Sequence, residues 1–134
     1  MNKVVVPLSS VEALKDLRPE DKSGRKWKFI VLKDGPNLVF ITGAVTEYPY
    51  HANLLATYCD QHAIPSSWAK KPDWVEVFDR GVQIRGGGYL QFDLEHRRVR
   101  VYGRSSAYGP YTSSDLTDLL PNDPVFAGYE VLFR

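Results

Sequence analysis

The stretch Tyr89-Leu90-Gln91-Phe92-Asp93-Leu94-Glu95-His96-Arg97-Arg98-Val99-Arg100-Val101-Tyr102 reads as two β-strands joined by a charged hairpin turn at 95–97. Working outward, residues 74–78 and 83–85 are further strands upstream, and 129–133 is a last strand downstream. Residues 27–32 and 38–41 flank the turn signal Asp34-Gly35-Pro36 and read as a second hairpin. A short strand at 4–6 ends at Pro7. Between these lie helical signals. Pro49 suits a first helical turn. His51, Leu55, Tyr58, Cys59 and His62 then recur at helical spacing, which predicts a helix over about 49–63, stopped before Pro65. Thr112 can cap a second helix over about 113–120, ended by Pro121. Ser9 and Glu12 have capping-box spacing, so a short helix is expected over about 10–16. Residues 18–26 and 65–73 read as loops. The element order predicts an α+β fold in a single domain spanning 1–134, with a mainly antiparallel mixed sheet flanked by two main α-helices.

The totals exclude several classes. The 134 residues can bury a core without disulfides, and the single cysteine, Cys59, rules out an internal one. A formal net charge of +1 argues against a general nucleic-acid binder. No segment approaches the roughly 18 apolar residues of a membrane span. The start, residues 1–6, is too short for a signal peptide, so a cytoplasmic protein is expected, with no membrane or nucleic-acid partner. Nothing demands a state beyond monomer.

Few residues carry chemistry. His51 falls in the first turn of its helix, on the stripe of Leu55, Tyr58 and Cys59. The partial positive charge at a helix start favours the neutral imidazole, whose lone pair serves a nucleophile or base. Its commoner role at such a position is packing or capping. His62 lies eleven residues on, roughly 16 Å away, too far for joint chemistry, and reads as a partly buried helix residue. His96, in the charged turn, reads as solvated. Cys59 and His62 are two ligands without a third, and no established metal motif is present. Cys59 itself reads as a buried, inert thiol. Gly86-Gly87-Gly88 lacks a Walker ending and reads as a bulge or a close backbone approach. After the strand ending at Tyr102, Ser105-Ser106-Ala107-Tyr108-Gly109 is a run of small residues whose amides can form an anion nest, or else an ordinary loop. Arg104 adjoins it and can reach an anion, whereas Arg97 and Arg98 suit a solvated face. Trp27, Tyr89, Phe92 and Tyr102 read mostly as core.

Tyr50-His51-Ala52 with its helix, the Gly86-Gly87-Gly88 triplet, and Val101-Tyr102-Gly103 leading into Ser105–Pro110 resemble, in order and spacing, the phosphohistidine phosphatase (janus/ocnus) family over about residues 27–133. The resemblance implies hydrolysis of phosphohistidine, extending to phospholysine, in proteins or peptides, without metal or cofactor. It assigns the essential histidine to His51. It assigns the lysine that opens a core strand to Lys28, and the phosphate-holding loop to Ser105, Ser106 and Ala107. Three positions depart from the family pattern. Thr42-Gly43-Ala44 carries no arginine, Tyr89 stands where an arginine usually follows the glycine triplet, and Asn53 replaces an aspartate. Arg85 or Arg104 is the expected compensation.

The implied chemistry is simple. A P–N bond is labile, so positioning and charge stabilisation suffice. Loop amides, Lys28 and Arg104 would hold the phosphoryl oxygens. His51 would act as nucleophile or as general base, and both roles require it neutral. The other readings are a non-catalytic phosphate-recognition domain of the same fold and, third, a nucleic-acid module resting on the arginine cluster.

Overall fold

The computed structural model describes residues 2–18 and 25–134. The loop expected over 18–26 falls largely outside these. As expected, the fold is α+β with one main mixed sheet. Six strands build that sheet: β1 (Asn2–Pro7), β2 (Lys26–Asp34), β3 (Asn37–Ala44), β6 (Val82–Asp93), β7 (Arg98–Tyr102) and β8 (Glu130–Phe133). Their spatial order is β1-β3-β2-β6-β7-β8. The three inner pairings are antiparallel, and the two edge pairings, β1 with β3 and β7 with β8, are parallel. Two short strands, β4 (Ser66–Lys70) and β5 (Trp74–Val77), form a separate hairpin.

Residues 27–32 are apolar at nearly every position because both faces of the sheet are covered. By the two-residue period, Trp27, Phe29 and Val31 point to one face, where they meet Phe40, Leu90 and Phe92. Leu116, Leu120 and Phe126 close that side. Ile30 and Leu32 point to the other face and pack with Val39 and Ile41 beneath α1 (His51–Gln61) through Leu54, Leu55, Tyr58 and Cys59. Each such large side chain taken out of water contributes about 1.5–3 kcal/mol, which explains why β2 is central.

Several local expectations are corrected. The second flanking segment is not a continuous α-helix over 113–120. Residues Ser113–Asp115 and Leu120–Asn122 are separate 3-10 turns, followed by a third at Pro124–Phe126. The Thr112 side chain makes no capping bond. Leu116, Leu119, Leu120 and Phe126 are all anchored in the core, so tertiary burial holds tight turns where the Thr112 cap and the Pro121 stop suggested a helix. The N-terminal turn is also 3-10, over Glu12–Asp16. Ser9 does not cap it, because its hydroxyl accepts from the Ala44 amide at 2.9 Å. The expected loop at 65–73 contains β4, paired with β5 and partly buried through Trp68. Finally, the segments 83–85 and 89–94 are one strand. β6 runs through the glycine triplet, with Gly87 opposite Ile30, Gly88 opposite Phe29, and a register shift between Ile30 and Leu32.

Candidate functional site

The apolar face under α1 ends where the helix begins, and there the sheet turns polar. Across it, Gly43, Lys28, Tyr89 and Tyr102 stand in register on four successive strands. Lys28 follows the two-residue period of Ile30 and Leu32, so it emerges on the helix side beside His51. Lys28 and Tyr89, with the start of α1 and the loop after β7, enclose a cleft of about 400 Å³. Lys28, His51, Ser105, Ser106 and Ala107 all line it. Tyr50, Tyr89 and Asp73 complete the wall.

His51 opens α1 and is only 6% exposed. Its Nε2 lies 2.9 Å from the Gly88 carbonyl oxygen. A carbonyl can only accept, so Nε2 carries the proton and Nδ1 keeps the lone pair. Nδ1 has no hydrogen-bond partner among the described residues. Burial is the main cause that lowers the imidazole pKa, to about 4; the Gly88 bond opposes the shift and the Lys28 charge adds to it. The ring is therefore neutral at physiological pH. The helix start is ordered by Asn53, whose Oδ1 accepts from the Tyr50 amide at 2.9 Å. An acceptor is all that this position requires, so asparagine in place of aspartate keeps the local geometry.

The glycine triplet joins the two halves of the site. Gly88 holds the imidazole, while Gly87 accepts from the Ser105 amide and donates to the Gly109 carbonyl, both at 3.1 Å. A Cβ on Gly87 would lie 2.5 Å from the Phe29 carbonyl oxygen and 3.1 Å from His51 Cδ2. The close approach read from the sequence is thus the seat of His51.

The loop works differently from a uniform nest. Ser105 is fully buried, its amide is bonded to Gly87 and Gly109, and its hydroxyl accepts from the Tyr108 amide. Ser105 builds the turn and has no amide left for a ligand. The Ser106 and Ala107 amides have no partner among the described residues, which leaves two donors for an anion.

Lys28 is half-buried, and its ammonium donates to the Pro49 carbonyl. It lies 5.5 Å from the centre of the Tyr50 ring and 5.6 Å from that of Tyr89. Burial, followed by the neighbouring Lys26 charge, lowers its pKa. Tyr89 is a site wall rather than core: it stacks on Tyr102, meets the His51 ring edge-to-face, and carries Lys26 over its face.

The arginine expectations are corrected. Arg104 is exposed and does not line the cleft. Its neighbour Ser105 is the buried one. Arg85 is held in a two-bond pair with Asp115, at 3.0 and 3.1 Å, and also stands outside the cleft. At Gly43 the space is taken by Tyr48, whose ring would lie 2.5 Å from an added Cβ. The cleft's cation is Lys28.

The other candidates separate cleanly. His62 is exposed rather than partly buried and packs its ring, tilted, against Tyr58. His96 is exposed and pairs with Asp93 at 2.9 Å. Cys59 is buried, and burial raises its thiol pKa. A larger groove of about 610 Å³ runs between the C-terminal half of α1 and β4, but Asp60 is its one charged lining residue. Among the described residues, no three His, Cys, Asp or Glu side chains are grouped to hold a metal, and no helix is long and apolar enough to cross a membrane. Sequence reasoning missed Asp73 and Tyr50 as cleft residues. Tyr50 was legible from its place beside His51, whereas Asp73 arrives on the unforeseen hairpin.

These features define a small α+β protein with an open cleft where a helix start, a glycine-bearing strand and a post-strand loop converge. The family model of the Janus/Ocnus family matches residues 23–130, and the chain belongs to that family. A comparison with curated proteins finds no match.

Proposed function

We propose that this protein is a phosphohistidine phosphatase that acts on histidine-phosphorylated proteins or peptides and needs no metal. The observation that carries this reading is the convergence on one cleft of a neutral imidazole, a lysine ammonium and the two unpaired amides of Ser106 and Ala107. The two amides and Lys28 hold the phosphoryl oxygens and stabilise the charge that develops on them. His51 Nδ1 takes the phosphoryl group, exchanging one P–N bond for another before water completes the turnover, or draws a proton from an attacking water. Phospholysine offers the same phosphoryl group to the same donors.

The direct test is phosphate release from a histidine-phosphorylated protein, with and without chelator. Release that survives the chelator is expected. Absence of release by the wild type would end the enzyme reading. Binding of the phosphorylated protein without turnover would instead favour a phosphate-recognition domain, a reading supported by the absence of arginine from the cleft lining among the described residues.

The pH dependence follows from His51. With its pKa lowered to about 4, the imidazole stays neutral from physiological pH down to about pH 5. After subtraction of the uncatalysed, acid-promoted loss, kcat/KM is expected to be flat as far as His51 is concerned, then to fall tenfold per pH unit below about 4. An acid limb centred near 6.5, the ordinary histidine value, would contradict the buried, neutral ring.

A further inference from the structure

One residue of the cleft has the wrong charge for phosphate. Asp73 lines it alongside Lys28, His51, Ser106 and Ala107. A carboxylate facing a phosphoryl dianion would repel it, so its productive partner is a cationic or N–H-bearing part of the substrate.

Asp73 is held there by its surroundings. It ends the turn of the β4–β5 hairpin, where its amide donates to the Lys70 carbonyl at 3.0 Å. The next residue, Trp74, stacks on Tyr108 with ring centroids 4.6 Å apart and planes inclined by 20°. Tyr108 Oη also accepts from the Val75 amide at 2.9 Å and donates to the Val75 carbonyl at 3.3 Å. Tyr108 follows Ala107 directly, so one tyrosine fastens the hairpin to the phosphate-holding loop. The Asp73 backbone and the two loop amides are therefore parts of one assembly. No ion pair or hydrogen bond engages the Asp73 side chain among the described residues, so it is free for a ligand.

We propose that Asp73 recognises the leaving group: its carboxylate accepts the N–H at the far nitrogen of the phosphorylated imidazole. This rests on the phosphohistidine reading above. The chemistry requires such a partner. When the P–N bond breaks, its electron pair returns to the ring nitrogen, and phosphorus bonds to His51 Nδ1 or to the oxygen of water, whose proton passes to His51 Nδ1. A ring protonated at its far nitrogen leaves as neutral imidazole, whereas an unprotonated ring would leave as a far more basic anion. Asp73 holds that proton on the ring throughout, so no further reactant enters the step. The same contact favours a ring over an alkyl amine and makes the carboxylate a discriminator between phosphohistidine and phospholysine.

The test compares wild type with Asp73→Ala on phosphoimidazole, which has the ring and no flanking peptide, on phosphohistidine peptides with and without basic neighbours, and on p-nitrophenyl phosphate, whose leaving group needs no proton. A loss of about 10- to 100-fold in kcat on phosphoimidazole, with the aryl phosphate rate unchanged or raised, is the expected result. Equal rates for the two proteins on phosphoimidazole would overturn the proposal while leaving the phosphatase reading intact. So would a loss confined to peptides with basic residues beside the phosphohistidine, because the carboxylate would then be reading the flanking chain. A comparable loss on both substrates would overturn it too, by showing a disturbed phosphate site. Wild-type failure on every phosphorylated substrate would sink the phosphatase reading and this proposal with it. Asp73 is exposed, so an unchanged melting temperature is expected and excludes unfolding as the cause.

Discussion

His51→Gln is expected to lower phosphohistidine hydrolysis by about 10²- to 10⁴-fold while the protein stays folded. Glutamine reaches as far as the imidazole Nε2, and its amide N–H can still donate to the Gly88 carbonyl that His51 now occupies at 2.9 Å. It offers no basic nitrogen, so both candidate roles of Nδ1 disappear together. His51→Ala removes that donor together with the buried ring that packs on Tyr89, which costs about 1–3 kcal/mol. The two variants therefore separate chemistry from structure. Glutamine should match the wild type in denaturant midpoint and alanine should fall below it, with both inactive. Substantial activity in a folded glutamine variant would remove His51 from the reaction. Should a phosphoenzyme form, acid-labile label trapped on the wild type and missing from the glutamine variant would identify the nucleophile.

The largest stability effect is expected at Gly86. Its φ is +106°, a conformation that L side chains rarely adopt, and an added Cβ would lie 2.0 Å from the Pro110 carbonyl oxygen. Backbone strain of about 1–3 kcal/mol combines with a steric clash of similar size. Neither neighbour is the movable end of a side chain. Gly86→Ala is thus expected to cost about 2–5 kcal/mol, a large part of the 5–15 kcal/mol typical of a domain. Gly109 is the control, with φ +83° and nothing within 4 Å of the added Cβ. Gly109→Ala carries the strain alone and should cost about 1 kcal/mol. Equal midpoints for the two variants in urea unfolding would show that the approach of Pro110 is not what requires glycine at 86.

Much of the sheet was legible because its strands are short and their apolar runs are bounded by strong turn residues. Trp27–Leu32 and its partner across Asp34-Gly35-Pro36 could hardly be anything else. The helix was legible from its spacing, although it starts at His51 and not at Pro49. The hairpin carrying Asp73 was hidden, because a five-residue strand of mostly small and polar residues with a proline just before it carries no strong strand signal. The segment after Thr112 misled for the opposite reason. Its leucines fit a helical pattern, yet it is their separate anchoring in the core that shapes the chain into 3-10 turns.

At the site the division is similar. Sequence alone determined the parts: a histidine at a helix start, a glycine triplet within β structure, a run of small residues after a strand, and membership of the Janus/Ocnus family. These are local chemical facts or matters of spacing, and a chain carries them openly. Only the tertiary structure decided which atoms are available. It buried Ser105 and left the Ser106 and Ala107 amides free, turned Arg104 out to solvent, tied Arg85 to Asp115, and brought Asp73 in from a separate hairpin. The reason is physical. A hydrogen bond spent inside the fold cannot be offered to a ligand, and which bonds are spent depends on partners tens of residues away.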